Sequence, residues 1–169
     1  SYYMRKFMGD FEESETYGNN YHLWVMYRYA EILLNYAEAL NEYEEKPSDE
    51  VYKVLRALRK RAGIEAGKDN KYGLEDNMSR DEMRLVIQNE RRIEMAFEEQ
   101  RYWDIRRWRL AEKIFEKPLQ GMSIVSGAGS LSFERVDILS AKFDSRRYLY
   151  PIPYSEVIKN RNMVQNPKW

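Results

Sequence analysis

From Leu23 to about Glu45 the apolar residues of this chain recur with the period of an α-helix. Met26, Ala30, Leu33, Leu34, Ala37 and Leu40 fall on one stripe, flanked by Tyr29, Tyr36 and Tyr43. Glu31, Asn35, Glu38 and Glu42 take the opposite, polar side. Lys46-Pro47-Ser48 breaks the pattern, with Ser48 or Asp49 placed as the N-cap of a new helix. That second amphipathic segment, from about Glu50 to Ala62, turns Val51, Val54, Leu55 and Leu58 inward and ends at Gly63, a C′-type position. Two such helices joined by a short connection form an antiparallel hairpin. Ala30 and Ala37, small and a heptad apart, let a second helix approach closely.

The rest of the chain reads as more helix, with one interruption. Residues 1–8 are expected to be extended, and 9–20 and 65–77 to be loop. Ser79-Arg-Asp-Glu82 is a capping-box pattern opening a third helix that runs to about Gln100. A fourth helix, or a continuation after a kink, spans Tyr102 to Lys117 and stops before Pro118. The Gly, Ser and Ala run of Ser126–Ser130 separates Met122–Val125 from the β-prone Phe133–Leu139, which suggests a β-hairpin or an irregular loop. Tyr148–Pro153 is extended by its prolines, Pro153 can open a short helix, and Asn160 can close it.

Composition removes several function classes. The chain has 169 residues, 28 basic and 28 acidic side chains, one histidine and no cysteine. A thiol nucleophile, a disulfide scaffold and a cysteine-ligated metal are excluded, and the lone His22 leaves no pair of histidines. Zero net charge runs against the broad basic field of a nucleic-acid binder. No apolar stretch approaches the roughly 18 residues needed to cross a bilayer. The start, Ser1-Tyr-Tyr-Met-Arg-Lys-Phe7, looks like mid-protein sequence and reads as a processed chain or an excised fragment.

The third helix carries the most unusual pattern. With Met83 as reference and a step of about 100° per residue, Val86, Ile87, Ile93 and Phe97 join the apolar stripe. Glu90 and Glu94 lie within about 20° of its centre. Carboxylates facing a core must be paired and hydrogen-bonded. A di-metal bundle would need a Glu-x-x-His from each of two helices, which is absent. The reading adopted is an ion-pair network with arginines of neighbouring segments: Glu90, Glu94, Arg59, Arg61, Arg101 and Asp104, docking the hairpins. An acid/base role for the two glutamates in a hydrolase is a distant rival.

Residues 101–109 interleave arginines with Tyr102, Trp103 and Trp108 as an RNA-binding surface would. Nearby acids can neutralise those arginines, and the tryptophans are spaced for helix packing, so structural use is preferred. Tyr17, Tyr21 and Tyr72 fall in segments read as loop, where no core demands a ring. Pyranose CH faces stack on exposed aromatic rings, which makes these three the candidate ligand-binding residues. The plainer reading of each is local apolar cover. His22 reads as a satisfied polar residue rather than a ligand.

These segments together resemble a known family. Tyr29 to Asn41 is similar to the "RxAExxLxxAEA" helix of the SusD/RagB family, and Arg59-Lys-Arg-Ala-Gly63 to its "RxRAG" helix end. Glu90 to Glu98, Arg101-Tyr-Trp-Asp104 and Arg107-Trp108 resemble "ERRxELAFEGxRxxDLxRW". Tyr150-Pro-Ile-Pro153, Glu156 and Gln165 to Trp169 resemble "PIPxxE…QNPGW", and Tyr3 to Phe7 the strand before the first helix. Glu99 and Lys168 stand where the family has glycine, so a positive-φ turn at Glu99 is not expected and the break between helices three and four should be smooth.

The resemblance implies a mainly α fold: tetratricopeptide-like helical hairpins with irregular loops and a minor β-hairpin. Residues 1–169 would form one C-terminal domain of a longer protein, its signal peptide and lipidated cysteine lying upstream. It implies a non-catalytic, cofactor-free component of an outer-membrane uptake system, exposed at the cell surface. Its partners would be a glycan or oligosaccharide and a TonB-dependent, SusC-like transporter. The alternative is a helical interaction scaffold that docks the transporter without touching glycan.

Overall fold

The computed structural model describes residues 5–10, 14–127 and 129–169; the side chains of residues 14, 17 and 19 also lie outside the description. The chain divides into two compact units, residues 6–101 on the one hand and residues 102–169 with Arg5 on the other.

Three helices form the frame of residues 6–101: α1 (Tyr29–Tyr43), α2 (Asp49–Arg61) and α3 (Arg80–Glu94). Ala30, Leu34 and Ala37 of α1 pack with Val51, Val54, Leu55 and Leu58 of α2 and Met83 and Ile87 of α3. Fully burying a Leu-sized side chain contributes about 1.5–3 kcal/mol, so this layer dominates the stability of the unit. α2 closes as the sequence anticipates. Gly63 takes φ +82, its N–H reaches the Lys60 carbonyl (3.1 Å), and the Ile64 N–H reaches that of Arg59 (3.0 Å). That is the Schellman pattern, which needs a left-handed residue at C′. α3 opens with the expected capping box: Ser79 Oγ accepts from the Glu82 N–H, and Glu82 accepts from the Ser79 N–H (2.8 Å). Ser48 is the N-cap of α2 but makes no side-chain cap bond.

Several expectations are corrected here. α1 begins at Tyr29 rather than Leu23, which leaves Met26 outside the helix and exposed. Glu31, placed on the polar side by its period, is buried. It accepts from Gln100 Nε2 (3.2 Å), and Gln100 Oε1 accepts from Arg91 Nη2 (3.3 Å). α3 ends at Glu94, short of Gln100, and its buried side is Met83, Ile87 and Arg91. Phe97 is exposed because the chain leaves the helical path after Glu94, and Ile93, still within α3, is exposed because it points away from the buried side of Met83, Ile87 and Arg91. Phe97 and Glu99 both take φ +63, so the expected smooth break is overturned. Glu99 adopts the left-handed turn despite its Cβ, at a cost of roughly 1–2 kcal/mol. The expected extended start is replaced, within its described part, by a turn at Lys6-Phe7 with Phe7 at φ +68; residues 1–4 lie outside the described residues.

α4 (Gln100–Arg107) carries the chain into the second unit, where α5 (Ala111–Phe115) follows. The expected single run from Tyr102 to Lys117 is therefore two helices. Ile105, Ala111 and Phe143 form a small core with Ile114, Phe115 and Tyr148 against it. Strands β1 (Leu119–Gly127) and β2 (Ser130–Leu139) pair antiparallel from Gly127↔Ser130 to Leu119↔Leu139, with an irregularity beside Leu119. The hairpin anticipated from the Gly/Ser run is thus present. A 3-10 turn (Ser145–Tyr148) precedes the Pro-rich segment, and Pro153 opens α6 (Tyr154–Lys159), with Asn160 at its end. No helix is long and apolar enough to cross a membrane among the described residues.

Candidate functional site

Residues 6–101 hold a cluster of ion pairs built on the C-terminal end of α3. Arg28, just ahead of α1, donates from Nη1 to Glu94 Oε1 (2.8 Å) and from Nε to Glu98 Oε2 (2.8 Å). It also reaches Glu98 Oε1 (2.6 Å) and the Glu94 carbonyl (3.0 Å) from Nη2. Lys6 pairs with Glu98 and donates to the carbonyls of Glu94 (2.8 Å) and Ala96 (2.9 Å). Two cations thus sit where the α3 dipole leaves unpaired carbonyls. Arg61 Nη2 lies 2.6 Å from each Glu94 oxygen, and Arg59 bridges α2 to α3 through Glu90 (2.9 Å) and holds the Tyr72 carbonyl (2.8 Å).

Burial by itself would push the Glu98 carboxyl upward. The hydrogen bonds and charges of Arg28 and Lys6 outweigh it and hold the group below the ordinary carboxylate range. Glu98 in turn raises the Arg28 guanidinium above its ordinary value. Every carboxylate in this cluster is met by a cation, and no group of three or more potential metal ligands occurs among the described residues. These pairs join α2 and the segment ahead of α1 to α3 and the residues that follow it. Reasoning from the third helix alone missed Arg28 and Lys6. The signal was present for Arg28, which stands at the arginine that opens the "RxAE" motif, three residues before Glu31.

Asp104 and Arg101 complete the set of residues expected in the network. Asp104 is buried and accepts from Arg107 Nε (2.9 Å) on its own helix. Arg101 is half-buried in the first turn of α4. Of the three candidate tyrosines, Tyr21 is 95% exposed. Tyr72 is half-buried with φ +55 and serves Arg59 through its carbonyl. Tyr17 lies in a 3-10 turn (Ser14–Asn19), and its side chain is outside the described residues. Tyr21 and Tyr72 make no ring contact among the described residues. His22 is satisfied as expected, its Nδ1 accepting from the Gly9 N–H (3.1 Å).

Rings do gather in the other unit. A cleft of about 350 Å³ is lined by Trp103, Arg106, Arg107, Arg109, Tyr148, Leu149 and Tyr150. That size falls at the lower end of small-ligand sites. Trp103 is 56% exposed and Tyr150 58%; their centroids are 6.4 Å apart, with planes at 57°. Tyr102 stands edge-on to Trp103 (5.0 Å), and its hydroxyl shares a hydrogen bond with that of Tyr150. That bond raises the Tyr150 phenol above its ordinary value.

Local structure explains why these groups converge. α4 closes with the same Schellman pattern as α2, but with Arg109 at the left-handed C′ position (φ +57). Its N–H reaches the Arg106 carbonyl (3.0 Å) and the Leu110 N–H that of Ile105 (2.9 Å). The chain end clamps the opposite wall. Gln165 accepts from the Ile152 N–H (2.7 Å) and donates to the Ile152 carbonyl (2.8 Å), while Asn166 Nδ2 holds the Tyr150 carbonyl (2.6 Å). Trp169 Nε1 donates to the Leu149 carbonyl (3.0 Å). The closing Gln165–Trp169 segment therefore fixes the backbone that presents Leu149 and Tyr150.

Comparison with known proteins gives the family. The model of the SusD family matches residues 1–169. The chain belongs to the SusD family. A SusD-like protein P2 from Formosa agariphila is 35% identical over 144 residues, covering 85% of this chain and 25% of that protein. A SusD-like protein of Bacteroides fragilis has a TM-score of 0.69 at 31% identity, covering 86% of this chain and 26% of that one. A SusD homolog of Bacteroides thetaiotaomicron has a TM-score of 0.64 at 27% identity, covering 86% and 27%. The chain spans about a quarter of the length of these SusD-family relatives.

Proposed function

We propose that this chain serves as a non-catalytic glycan-binding component of an outer-membrane uptake system, working with a TonB-dependent, SusC-like transporter. Membership of the SusD family over residues 1–169 supports the general role. The observation that carries it to a place in the molecule is the pair of exposed, mutually tilted rings of Trp103 and Tyr150 beside arginine donors. Exposed rings offer flat faces to pyranose CH groups, and guanidinium N–H groups supply hydrogen bonds to ring substituents. Because the rings are tilted, they offer stacking faces in two planes, which suits two successive units of an oligosaccharide. Tyr17, Tyr21 and Tyr72 remain secondary proposals for outlying contacts.

Trp103→Ala tests this directly. Screened against a panel of labelled oligosaccharides, the unmodified chain binds at least one, and the variant loses about tenfold or more in affinity for it, as aromatic stacking losses of this kind do. Equal binding by both would remove the cleft from the glycan site.

A second reading, an interaction scaffold without glycan contact, is favoured by a different observation. Tyr29, Ile32, Tyr36 and Tyr43 leave one side of α1 apolar and exposed. Failure of this chain to bind any member of the panel, alongside binding by a longer protein containing it, would replace the first reading with this one.

A further inference from the structure

The cleft combines rings with an unusual charge arrangement. Three of its lining residues are arginines, and none is an aspartate or glutamate. Only Arg107 is paired with a described carboxylate, Asp104. Arg106 lies over Tyr102, its guanidinium carbon 3.4 Å from that ring centroid and 5.3 Å from the centroid of Phe143. Its Nη1 donates to the Tyr102 carbonyl (2.8 Å), and its buried Nε finds no acceptor. Arg109 lies 4.8 Å from the Tyr148 ring and donates to no acceptor among the described residues. A cation over a ring face is attracted by the ring without using its N–H groups.

The contrast with the ion-paired arginines of the other unit is chemical. There, Arg28, Arg59, Arg61 and Arg84 each meet a carboxylate within 3 Å. In the cleft, two guanidiniums are oriented by rings and left short of anions. Arg109 also holds the left-handed C′ position that glycine would take without strain. A planar guanidinium fork matches the two oxygens of a carboxylate or the oxygens of a sulfate ester better than it matches a neutral hydroxyl.

Resting on the glycan reading of the same cleft, we propose that its ligand is an acidic saccharide. Trp103 and Tyr150 stack on sugar faces, and Arg106 and Arg109 bind an oxyanion carried by one of the sugars, a uronate carboxylate or a sulfate ester. Specificity for charge then resides in the arginines, and affinity for the sugar ring in the aromatics.

The test uses the whole chain, with intrinsic tryptophan fluorescence and calorimetry as readouts. Three probes are titrated: trigalacturonate, a monosulfated galactobiose, and neutral galactotriose. The expected result is that at least one acidic probe binds about tenfold or more tightly than the neutral one at low salt, the preference shrinking as salt screens the charges. Which acidic probe is preferred identifies the oxyanion. Arg109→Gln should weaken the acidic probe by about tenfold, more than it weakens the neutral one. Arg135→Gln, which removes the same charge from β2, should change neither.

If galactotriose binds as tightly as both acidic probes and Trp103→Ala abolishes it, the acidic-ligand proposal falls while the glycan reading stands. Equal losses in Arg109→Gln and Arg135→Gln would also overturn the proposal, since net charge alone would then explain the preference. If no probe binds and a broader oligosaccharide panel gives none either, both readings fall.

Discussion

The ion pairs around α3 in residues 6–101 and the aromatic cleft of residues 102–169 use arginine in opposite ways. In the first, guanidiniums are consumed by carboxylates: Arg28 by Glu94 and Glu98, Arg59 by Glu90, Arg61 by Glu94, Arg84 by Glu42. In the second, Arg106 and Arg109 lie on the faces of Tyr102 and Tyr148. The residue type is the same, but the acceptors within reach are not. Where α3 delivers a row of glutamates to the ends of two other segments, arginine becomes structural. Where a Schellman turn and a clamped Pro-rich segment deliver rings instead, arginine lies over an aromatic face.

That comparison is open to direct test. Glu94→Ala removes the carboxylate that holds Arg61 and one of the two that hold Arg28, which keeps Glu98; with Arg61 half-exposed the loss should be about 2 kcal/mol. Urea unfolding of the variant measures it; an unchanged midpoint would mean the cluster docks nothing. A second test uses acid. Glu98 and Glu42 are both held below their ordinary value of 4.5, Glu98 by Arg28 and Lys6 against the opposing effect of burial, Glu42 chiefly by its hydrogen bond with Arg84. A depressed folded-state pKa stabilises the fold above the unfolded value, and that stabilisation is lost as pH falls through the folded value. Stability should therefore hold above about pH 4.5 and decline below it, by less than the Glu94→Ala loss. Glu98→Gln should flatten the decline.

In the other unit, Gln165→Ala removes both bonds to Ile152 and should cost about 1–2 kcal/mol. It should also disturb Trp103 fluorescence by loosening the wall that carries Tyr150. A variant with unaltered emission would separate the clamp from the cleft. The smallest effect concerns backbone strain. Glu99 (φ +63) and Lys168 (φ +70) hold left-handed positions, so Glu99→Gly should raise stability by about 0.5–1 kcal/mol, the relief of strain less the added entropy of glycine. Lys168→Gly should gain less, because Lys168 also bonds Ser145. A loss at Glu99 would show that its neighbours, not glycine-like freedom, hold that turn.

Much of the helical frame was legible because its signals are local. The α2 stripe, the Ser79–Glu82 box, Gly63 and Pro153 each act within a turn or two of their own position. The errors at Glu31, Ile93 and Phe97 share a cause. Periodicity extrapolates a helix past its end and assigns one buried face, whereas α1 meets two partners and α3 stops at Glu94. The candidate site was legible only in part. The Arg-Tyr-Trp run stands out in the sequence, but a structural reading of it assumes that nearby acids neutralise the arginines. Loop position alone singles out Tyr17, Tyr21 and Tyr72. Motif order also carried information that periodicity did not: the glycine positions of the family mark left-handed turns at Glu99 and Lys168, and its opening arginine marks Arg28.

The sequence by itself determined that α1, α2 and α3 exist, the Ser79–Glu82 cap, the Gly63 stop, the β-hairpin and the family, since these rest on contacts between near neighbours and on motifs held in order. Only the tertiary structure decided which charges meet and which rings stay open. Arg28 finds Glu94 and Glu98 across 66 and 70 positions, and the 148–150 segment faces α4 through a clamp supplied by the last residues. Desolvation makes those outcomes depend on what packs nearby: a charge brought out of water must find its counter-charge within a few ångströms. No local pattern encodes that distance.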